Sequence, residues 1–453
     1  MFTKIQMTNF KSWKESGVVR LAPLTAFFGA NSSGKSSLLQ MLLLIKQTTE
    51  SPDRNIVLKT DGYVDLGTPS EMTHAETDFM RFALAWDFPP PSSDGTSLSE
   101  IRITVPNSNQ AITLTGMEFE TNLRIDATKT HVESIRYRSP QDNFQVELKR
   151  ADNNQYAIRL QVNGVEPQRP QGRPRVNMKP QKSYGFSDEA LRFYSDTQYL
   201  ADVVLSFEQQ FQRVHYLGPL RDYPKRIYKY NSERPTNVGL RGEDAINALI
   251  ATKHDRQRAY PQTGKQPSVE ERVAQWLVTL GLAHSFKTVP LADGRSEYEV
   301  RIRRHPESPE VVMTDLGIGL SQVLPVLVLC YYVPEGSTLI LEHPELHLHP
   351  SIQAGLADVL IDVIQRRKVQ IILESHSEHL LRRLQRRIAE DALTRDQTAL
   401  YFCHLEGGVS QLTTLELDEG GNILNYPRDF FGNMTEDMFV MAQAGIRKRH
   451  TPR

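Results

Sequence analysis

The segment Gly29-Ala30-Asn31-Ser32-Ser33-Gly34-Lys35-Ser36-Ser37 has the spacing GxxxxGK(S/T), and each part of it has a use in holding a polyphosphate. Glycines at both ends let the chain turn the N–H groups from Asn31 to Ser37 inward around an anion. Lys35 reaches the outer phosphates and the Ser36 hydroxyl holds a magnesium ion, so the expected ligand is a nucleoside triphosphate with Mg2+. Far downstream a second set of reactive side chains follows. Gly317 and Gly319, with Ser321 and Gln322 behind them, form a glycine pair ahead of an apolar run, a second anion-binding nest that alone is a weak signal. Glu342 ends the run Ser337-Thr338-Leu339-Ile340-Leu341, and a carboxylate at that point suits a magnesium site opposite Ser36. Then come His343-Pro344-Glu345-Leu346-His347-Leu348-His349-Pro350 and, later, Glu374-Ser375-His376-Ser377, which sets the His376 imidazole beside the γ-phosphate end of such a site.

These groups need elements to hold them. Leu21 to Phe28 reads as a buried strand, and Leu38, Leu39, Met41, Leu42, Leu43 and Ile45 mark an apolar helix whose positive end points at the same anion. Strands at 337–342 and 369–373 flank an amphipathic helix at 351–366, and a helix at 323–332 follows the glycine pair. Residues 2–13 alternate as a strand at an antiparallel edge, turning at Gly17, and 51–77 are loop-rich. From Phe79 to Leu160 short alternating runs are separated by turn residues, with no sustained heptad, so this part is a sheet and not a coiled-coil arm. Helices are expected at 187–212, 243–252 and 269–280, strands at 213–217 and 398–417, and a helix at 429–444.

The 453 residues can bury a large core, and length suggests about three domains. Lys+Arg 53 against Asp+Glu 54 gives a net charge of -1, so any contact with DNA or RNA must be local. Two local stretches qualify. Residues 168–182 carry Arg169, Arg173, Arg175, Lys179 and Lys182 without an acid, either as a solvated loop or as a contact for nucleic acid or an acidic partner. Residues 221–230 interleave cations with tyrosines, which fits a packed surface strand or phosphate contacts with base stacking. The end, Arg447-Lys448-Arg449-His450, reads as solvated. Cys330 and Cys403 alone fit a reducing compartment. The apolar run 323–333 is too short to cross a bilayer and the start is unlike a signal peptide, so we expect a soluble cytoplasmic protein without membrane contact. His343, His347 and His349 share one proline-bounded loop without identifiable supporting partners, which argues against zinc there.

At these residues the chain resembles ABC-type ATPase heads, and within them the RecF-like and OLD-like ATPases of DNA repair and phage defence. The resemblance covers residues 1–50 and 313–384, including Asn9-Phe10-Lys11-Ser12; Tyr216-Leu217-Gly218-Pro219-Leu220-Arg221 and Asp429-Phe430-Phe431-Gly432 are similar to a defence-associated subset. It implies an α/β fold, an ABC-type P-loop ATPase head with a mixed central sheet and flanking helices, carrying a β-rich and helical insertion. The implied division is head at 1–78, inserted lobe at 79–300 and head again at 301–453. By resemblance Gly317 to Gln322 is the signature loop, Glu342 the Walker B carboxylate, His347-Leu348-His349 the dimerisation loop and His376 the switch histidine. The implied cofactors are ATP and Mg2+, and the implied assembly is a homo-oligomer whose heads sandwich ATP.

Two departures stand out. Most such heads carry a glutamate after the Walker B acid to activate water; here the position holds His343, so Glu345 takes that role, or His343 does, or hydrolysis is slow. The signature loop reads Gly319-Leu320-Ser321-Gln322 where many heads have Ser-Gly-Gly-Gln, and Gln47 is the one glutamine near the expected lid. With no arms and too few residues after Ser377 for a Toprim nuclease, the expected function is an ATPase controlling a separately encoded effector, a nuclease, in anti-phage defence. The alternatives are a RecF-like repair ATPase binding DNA through Lys179, Lys182, Arg221, Lys225 and Arg226, and an ATP-binding scaffold with little hydrolysis.

Overall fold

Leu24–Gly29, Thr338–Glu342 and Gln370–Glu374 are buried along their whole length, the pattern of strands covered on both faces. The computed structural model describes residues 1–88, 100–106, 108, 110–126, 129–166, 177–192, 199–259, 267–292, 294–427, 430–431, 440–441 and 443. In it these strands form the middle of a six-stranded sheet. The order is Val214–Leu217, Thr338–Glu342, Gln370–Glu374, Leu24–Gly29, Thr398–Glu406 and Val409–Thr414, with the first five parallel and the last antiparallel.

Alternation along each strand divides two cores. Phe27, Ile340 and Ile372 face one, together with Leu38 to Ile45 of the helix Lys35–Glu50. Leu24, Ala26, Phe28, Leu339, Leu341, Ile371 and Leu373 face the other, against the helices Ile318–Tyr332, Pro350–Arg367 and Glu378–Ala389. The helix Ile318–Tyr332 is apolar nearly all round because it is covered on every side after its first turn.

The first core continues into an eight-stranded antiparallel sheet. Tyr156–Val162, Phe144–Arg150, Lys129–Ser139, Gly116–Asp126, Phe79–Asp87, Phe2–Phe10 and Trp13–Glu15 follow in order, with Val19–Arg20 on the first strand of the chain. The helix Tyr199–Gln212 packs on this sheet through Phe207 and Phe211, whose rings meet Phe119 at 4.6 Å and Phe2 at 5.2 Å. A small sheet of Ser285–Pro290, Glu297–Arg303, Tyr228–Lys229 and Val311–Val312 packs in the second core. The arrangement is a mixed α/β sheet flanked by helices, with the phosphate loop between the strand Leu24–Gly29 and the helix Lys35–Glu50.

Two details differ from the sequence expectations. Phe2–Phe10 is not an edge strand, because short strands at 13–15 and 19–20 pair beside it. The antiparallel sheet draws on residues 2–20 as well as 79–162, so it runs across the boundary expected at 78. Likewise Val214–Leu217, from the expected inserted lobe, is a strand of the six-stranded sheet. Arg169, Arg173, Arg175, Asp429, Gly432 and the basic end lie outside the described residues, as does most of the expected final helix.

Candidate functional site

The strand Leu24–Gly29 ends at Gly29, whose φ of 140° and closeness to the neighbouring strand admit no side chain: a Cβ there would lie 2.0 Å from the Cys403 carbonyl oxygen. The chain then loops to Gly34, which precedes the helix Lys35–Glu50 at φ 92°. The Gly34 carbonyl accepts from the Trp13 indole at 2.9 Å, and Ser410 donates to Ser12 at 2.6 Å, so the first hairpin and the last strand brace the loop from outside. Lys35 is 2% exposed and donates to the Gly29 and Ala30 carbonyls at 3.1 and 2.7 Å. Burial lowers its pKa, opposed chiefly by the Glu374 charge 3.7 Å away. The loop opens on a cleft of about 300 Å³ lined by Asn31, Ser32, Ser33, Gly34, Lys35, Ser36 and Ser37, with Ser12, Gln40, His343, Glu374 and His376.

Strand order explains which acids arrive there. The phosphate-loop strand and the Glu342 strand are not neighbours; Gln370–Glu374 lies between them, and Glu374 is in register with both Glu342 and Phe27. Glu374 therefore ends beside Lys35 and hydrogen-bonds the Ser36 hydroxyl. Burial raises its pKa, but hydrogen bonds from His343 and Ser36 and the Lys35 charge outweigh this and hold it below the usual carboxylate range. Glu342, one strand further, accepts from the Tyr216 hydroxyl at 3.1 Å. Burial and the Glu374 charge push its pKa up to about 7. Of the two acids, Glu374 is the one that lines the cleft.

His343 sits at φ 44° just past the strand end and stands between carboxylates, Nε2 at 3.3 Å from Glu374 and Nδ1 at 3.7 Å from Glu345. Burial lowers its pKa, but these two acids overcome it and raise it to about 9. His376 stacks on His343 with centroids 4.9 Å apart and planes 8° apart, and its pKa is lowered by burial and by Lys35. Glu345 is 6% exposed and accepts from the His376 N–H at 2.8 Å. His347 is exposed, and His349 bonds Ser351 at the start of the next helix, so neither joins His343.

The remaining expected residues are placed elsewhere. Gly317 is exposed at the start of its helix with open space around it, and Gly319 lies near the His347 carbonyl. Ser321 donates to the Ile318 carbonyl at 2.7 Å and lines a different cleft, with Asp222, Tyr223 and Lys225. None of the three lines the phosphate-loop cleft of its own chain. Gln47 is spent on the 59–64 loop, binding the Lys59 carbonyl and the Val64 N–H. Among the cations expected to meet DNA, Arg221 is buried beneath Glu342 and Lys182 is buried on the Thr49 and Ser51 carbonyls, a correction to that set. Arg226 pairs with Asp315 at 2.6 Å and Lys225 lies 3.8 Å from Asp222, while Lys179 is exposed.

The residues present fit Mg2+ and a triphosphate. The hydroxyl of Ser33 and one oxygen of Glu374 are buried without a partner, and the Lys35 ammonium rests on loop carbonyls that a bound anion can replace. Sequence reading missed Glu374, Tyr216 and Arg221. The signal for Glu374 was a second carboxylate closing the next parallel strand, directly ahead of Ser375-His376.

Compared with known families, residues 24–382 match the one described as AAA domain, putative AbiEii toxin, Type IV TA system. Residues 393–441 match a family described as protein of unknown function, DUF3696. No curated protein matches the chain. Similar solved structures include an Smc head bound to the C-winged helix domain of ScpA, with 11% identity, TM-score 0.44 and coverage of 92% of this chain and 98% of that one. The SMC head domain from Thermotoga maritima has 14% identity, TM-score 0.40 and coverage of 92% and 99%. An Smc head with an extended coiled coil from Pyrococcus furiosus, bound to the C-terminal domain of ScpA, has 10% identity, TM-score 0.42 and coverage of 98% and 99%.

Proposed function

This chain belongs to the AAA-domain family matched over residues 24–382, and from that premise we propose that it is an ATPase whose ATP-dependent pairing controls a separately encoded nuclease in defence against phage. The observation that carries the pairing is geometric: Lys35, Ser36, Glu374 and His376 gather at one cleft, while the helix start at Gly317 and Gly319 lines no part of it and Gly317 is exposed. Each chain thus offers half a site and the complementary half of another. The family's description as a putative toxin of a type IV toxin–antitoxin system supports the defence role. No helix among the described residues is long and apolar enough to cross a membrane.

Within the site, the N–H groups of the loop and the Lys35 ammonium would bind the β- and γ-phosphates, and the Ser36 hydroxyl with Glu374 would hold Mg2+, Glu342 standing one strand behind them. The ion supplies charge neutralisation on the phosphoryl oxygens. His343 faces the cleft and stands where water is activated, and Glu345 orients it from behind while anchoring the His376 backbone. His343 stands where most such heads carry a glutamate, and on that ground turnover is slow and the ATP-bound pair long-lived.

Phosphate release and sedimentation with Mg-ATP test this together. The wild type is expected to associate with ATP and release phosphate slowly, Lys35→Ala to do neither, and Glu345→Gln to associate without turnover. A wild-type rate equal to that of Lys35→Ala, or purified chain that cuts DNA by itself, would overturn the proposal.

A further inference from the structure

The cluster His343, Glu374 and His376 has the make-up of a site for a different kind of ion from the magnesium assigned above. Its three ligand atoms lie within 4.8 Å of one another. Magnesium takes oxygen ligands and keeps its water, whereas two imidazoles with one carboxylate suit zinc and its first-row neighbours. In a tetrahedral zinc site with bonds of about 2.0 Å, adjacent ligand atoms are about 3.3 Å apart. His343 Nε2 and Glu374 Oε1 already stand 3.3 Å apart. The His376 ring lies parallel to that of His343, and binding the same ion requires it to turn about its side-chain bonds out of that stack.

Two further observations point to a ligand. Glu374 is 3% exposed, lines the cleft, and keeps one carboxylate oxygen buried without a hydrogen-bond partner. A supporting group is also present: the second ring nitrogen of His343 faces Glu345 at 3.7 Å, and the same Glu345 oxygen accepts from the His376 backbone N–H at 2.8 Å. A carboxylate behind the metal-binding histidine, fixing its ring and tautomer, is the usual arrangement at zinc. Lys35 is the one cation beside Glu374 among the described residues that is not itself in the cluster, and its ammonium is directed to the Gly29 and Ala30 carbonyls.

We propose that His343, Glu374 and His376 bind a first-row transition dication, zinc or a close relative, in the nucleotide-free chain, with one coordination position open to the cleft. Because Glu374 also accepts from the Ser36 hydroxyl, this ion and Mg-ATP share a carboxylate and weaken each other's binding, reciprocally. The inference uses the same cleft as the proposed function but does not depend on hydrolysis.

The test is titration of the full nucleotide-free chain with Co2+, followed by visible absorption. One equivalent is expected to give the intense bands of low-coordinate cobalt, bleached by Zn2+ and not by excess Mg2+. His343→Ala and His376→Ala are each expected to weaken Co2+ binding at least tenfold at an unchanged melting temperature, which excludes misfolding as the cause, and Glu374→Gln serves as a near-isosteric third variant. Lys35→Ala should lose ATP binding and keep the bands, separating this site from the ATPase reading. Saturating Zn2+ should lower the affinity for Mg-ATP at least tenfold. Weak octahedral bands, bands indifferent to both histidine variants, or bleaching by Mg2+ would overturn the site. Unchanged Mg-ATP affinity with zinc bound would overturn the coupling.

Discussion

Glu374 shows how one carboxylate can decide the chemistry of a site that many residues build. It meets Lys35, the Ser36 hydroxyl and His343 at once, whereas Glu342 is tied to Tyr216 and held toward its protonated form. Glu374→Gln is therefore expected to weaken Mg-dependent ATP binding at least tenfold, about 1.4 kcal/mol, by isothermal titration calorimetry. Glu345→Gln should leave binding intact and slow phosphate release by about 100-fold, because Glu345 orients His343 without reaching the cleft. The nine residues from Gly29 to Ser37 were legible from spacing alone, since the geometry they need is local. The division of labour between Glu342 and Glu374 was not, because it depends on which strand lies next to the phosphate loop. A third prediction concerns His215, which lies buried near the Lys46 charge with its pKa lowered by burial to about 4. Above the unfolded value of about 6.5 it is neutral in both states and contributes nothing. As pH falls from 6.5 toward 4 the unfolded chain takes up a proton that the folded chain refuses, so stability is lost, by up to about 3 kcal/mol. Urea unfolding at pH 7.5 and 4.5 should show His215→Gln losing less stability on acidification than the wild type.

At the scale of elements, the phosphate loop depends on its neighbours as much as on its own glycines. The strand Thr398–Glu406 lies against Leu24–Gly29, and its Cys403 carbonyl occupies the space where a Gly29 side chain would go. Gly29→Ala thus combines a backbone angle that L residues rarely adopt with a clash against a buried strand, and neither can relax alone. We expect it to destabilise the chain by about 3 kcal/mol or more and to abolish ATP binding, read as a drop in melting temperature and a flat titration. Gly281→Ala is the control: its φ of 70° lies in the left-handed helical region that L residues enter at modest cost, and a Cβ there meets nothing within 4 Å, so a smaller loss is expected and ATP binding should remain. Most strands and helices were readable from apolar periodicity, because the same alternation that signals Ile371, Ile372 and Leu373 as a strand also divides them between the two cores. Pairing was not readable. Nothing local in Phe2–Phe10 tells that it continues the sheet of 79–162, or that Val214–Leu217 joins the Glu342 strand, because those partners are set by contacts distant in the chain.

For the whole molecule, the arrangement of the two anion-binding features makes a demand that a single chain does not meet. The loop around Lys35 looks into its own cleft, whereas Gly317 and Gly319 border none of it. If two copies face each other so that each nest closes on the other's nucleotide, defects in the two features must complement. A Lys35→Ala chain lacks a working loop but keeps its nest; a Gly319→Glu chain keeps the loop and puts a negative charge in the nest. The nearest atom to a Gly319 Cβ is the His347 carbonyl at 3.7 Å, an ordinary contact, and an unchanged melting temperature checks that the longer side chain is accommodated. Each variant alone is expected to release no phosphate above background. Mixed in equal amounts, half of the pairs are hybrids, and each hybrid holds one site with an intact loop and an intact nest, so about a quarter of the wild-type rate should return. Recovery that rises with protein concentration and with ATP would identify the hybrid pair as the active species. A mixture no more active than either variant would show that the nest serves something other than the partner's triphosphate, and the pairing reading would fall while the phosphate-loop site stood.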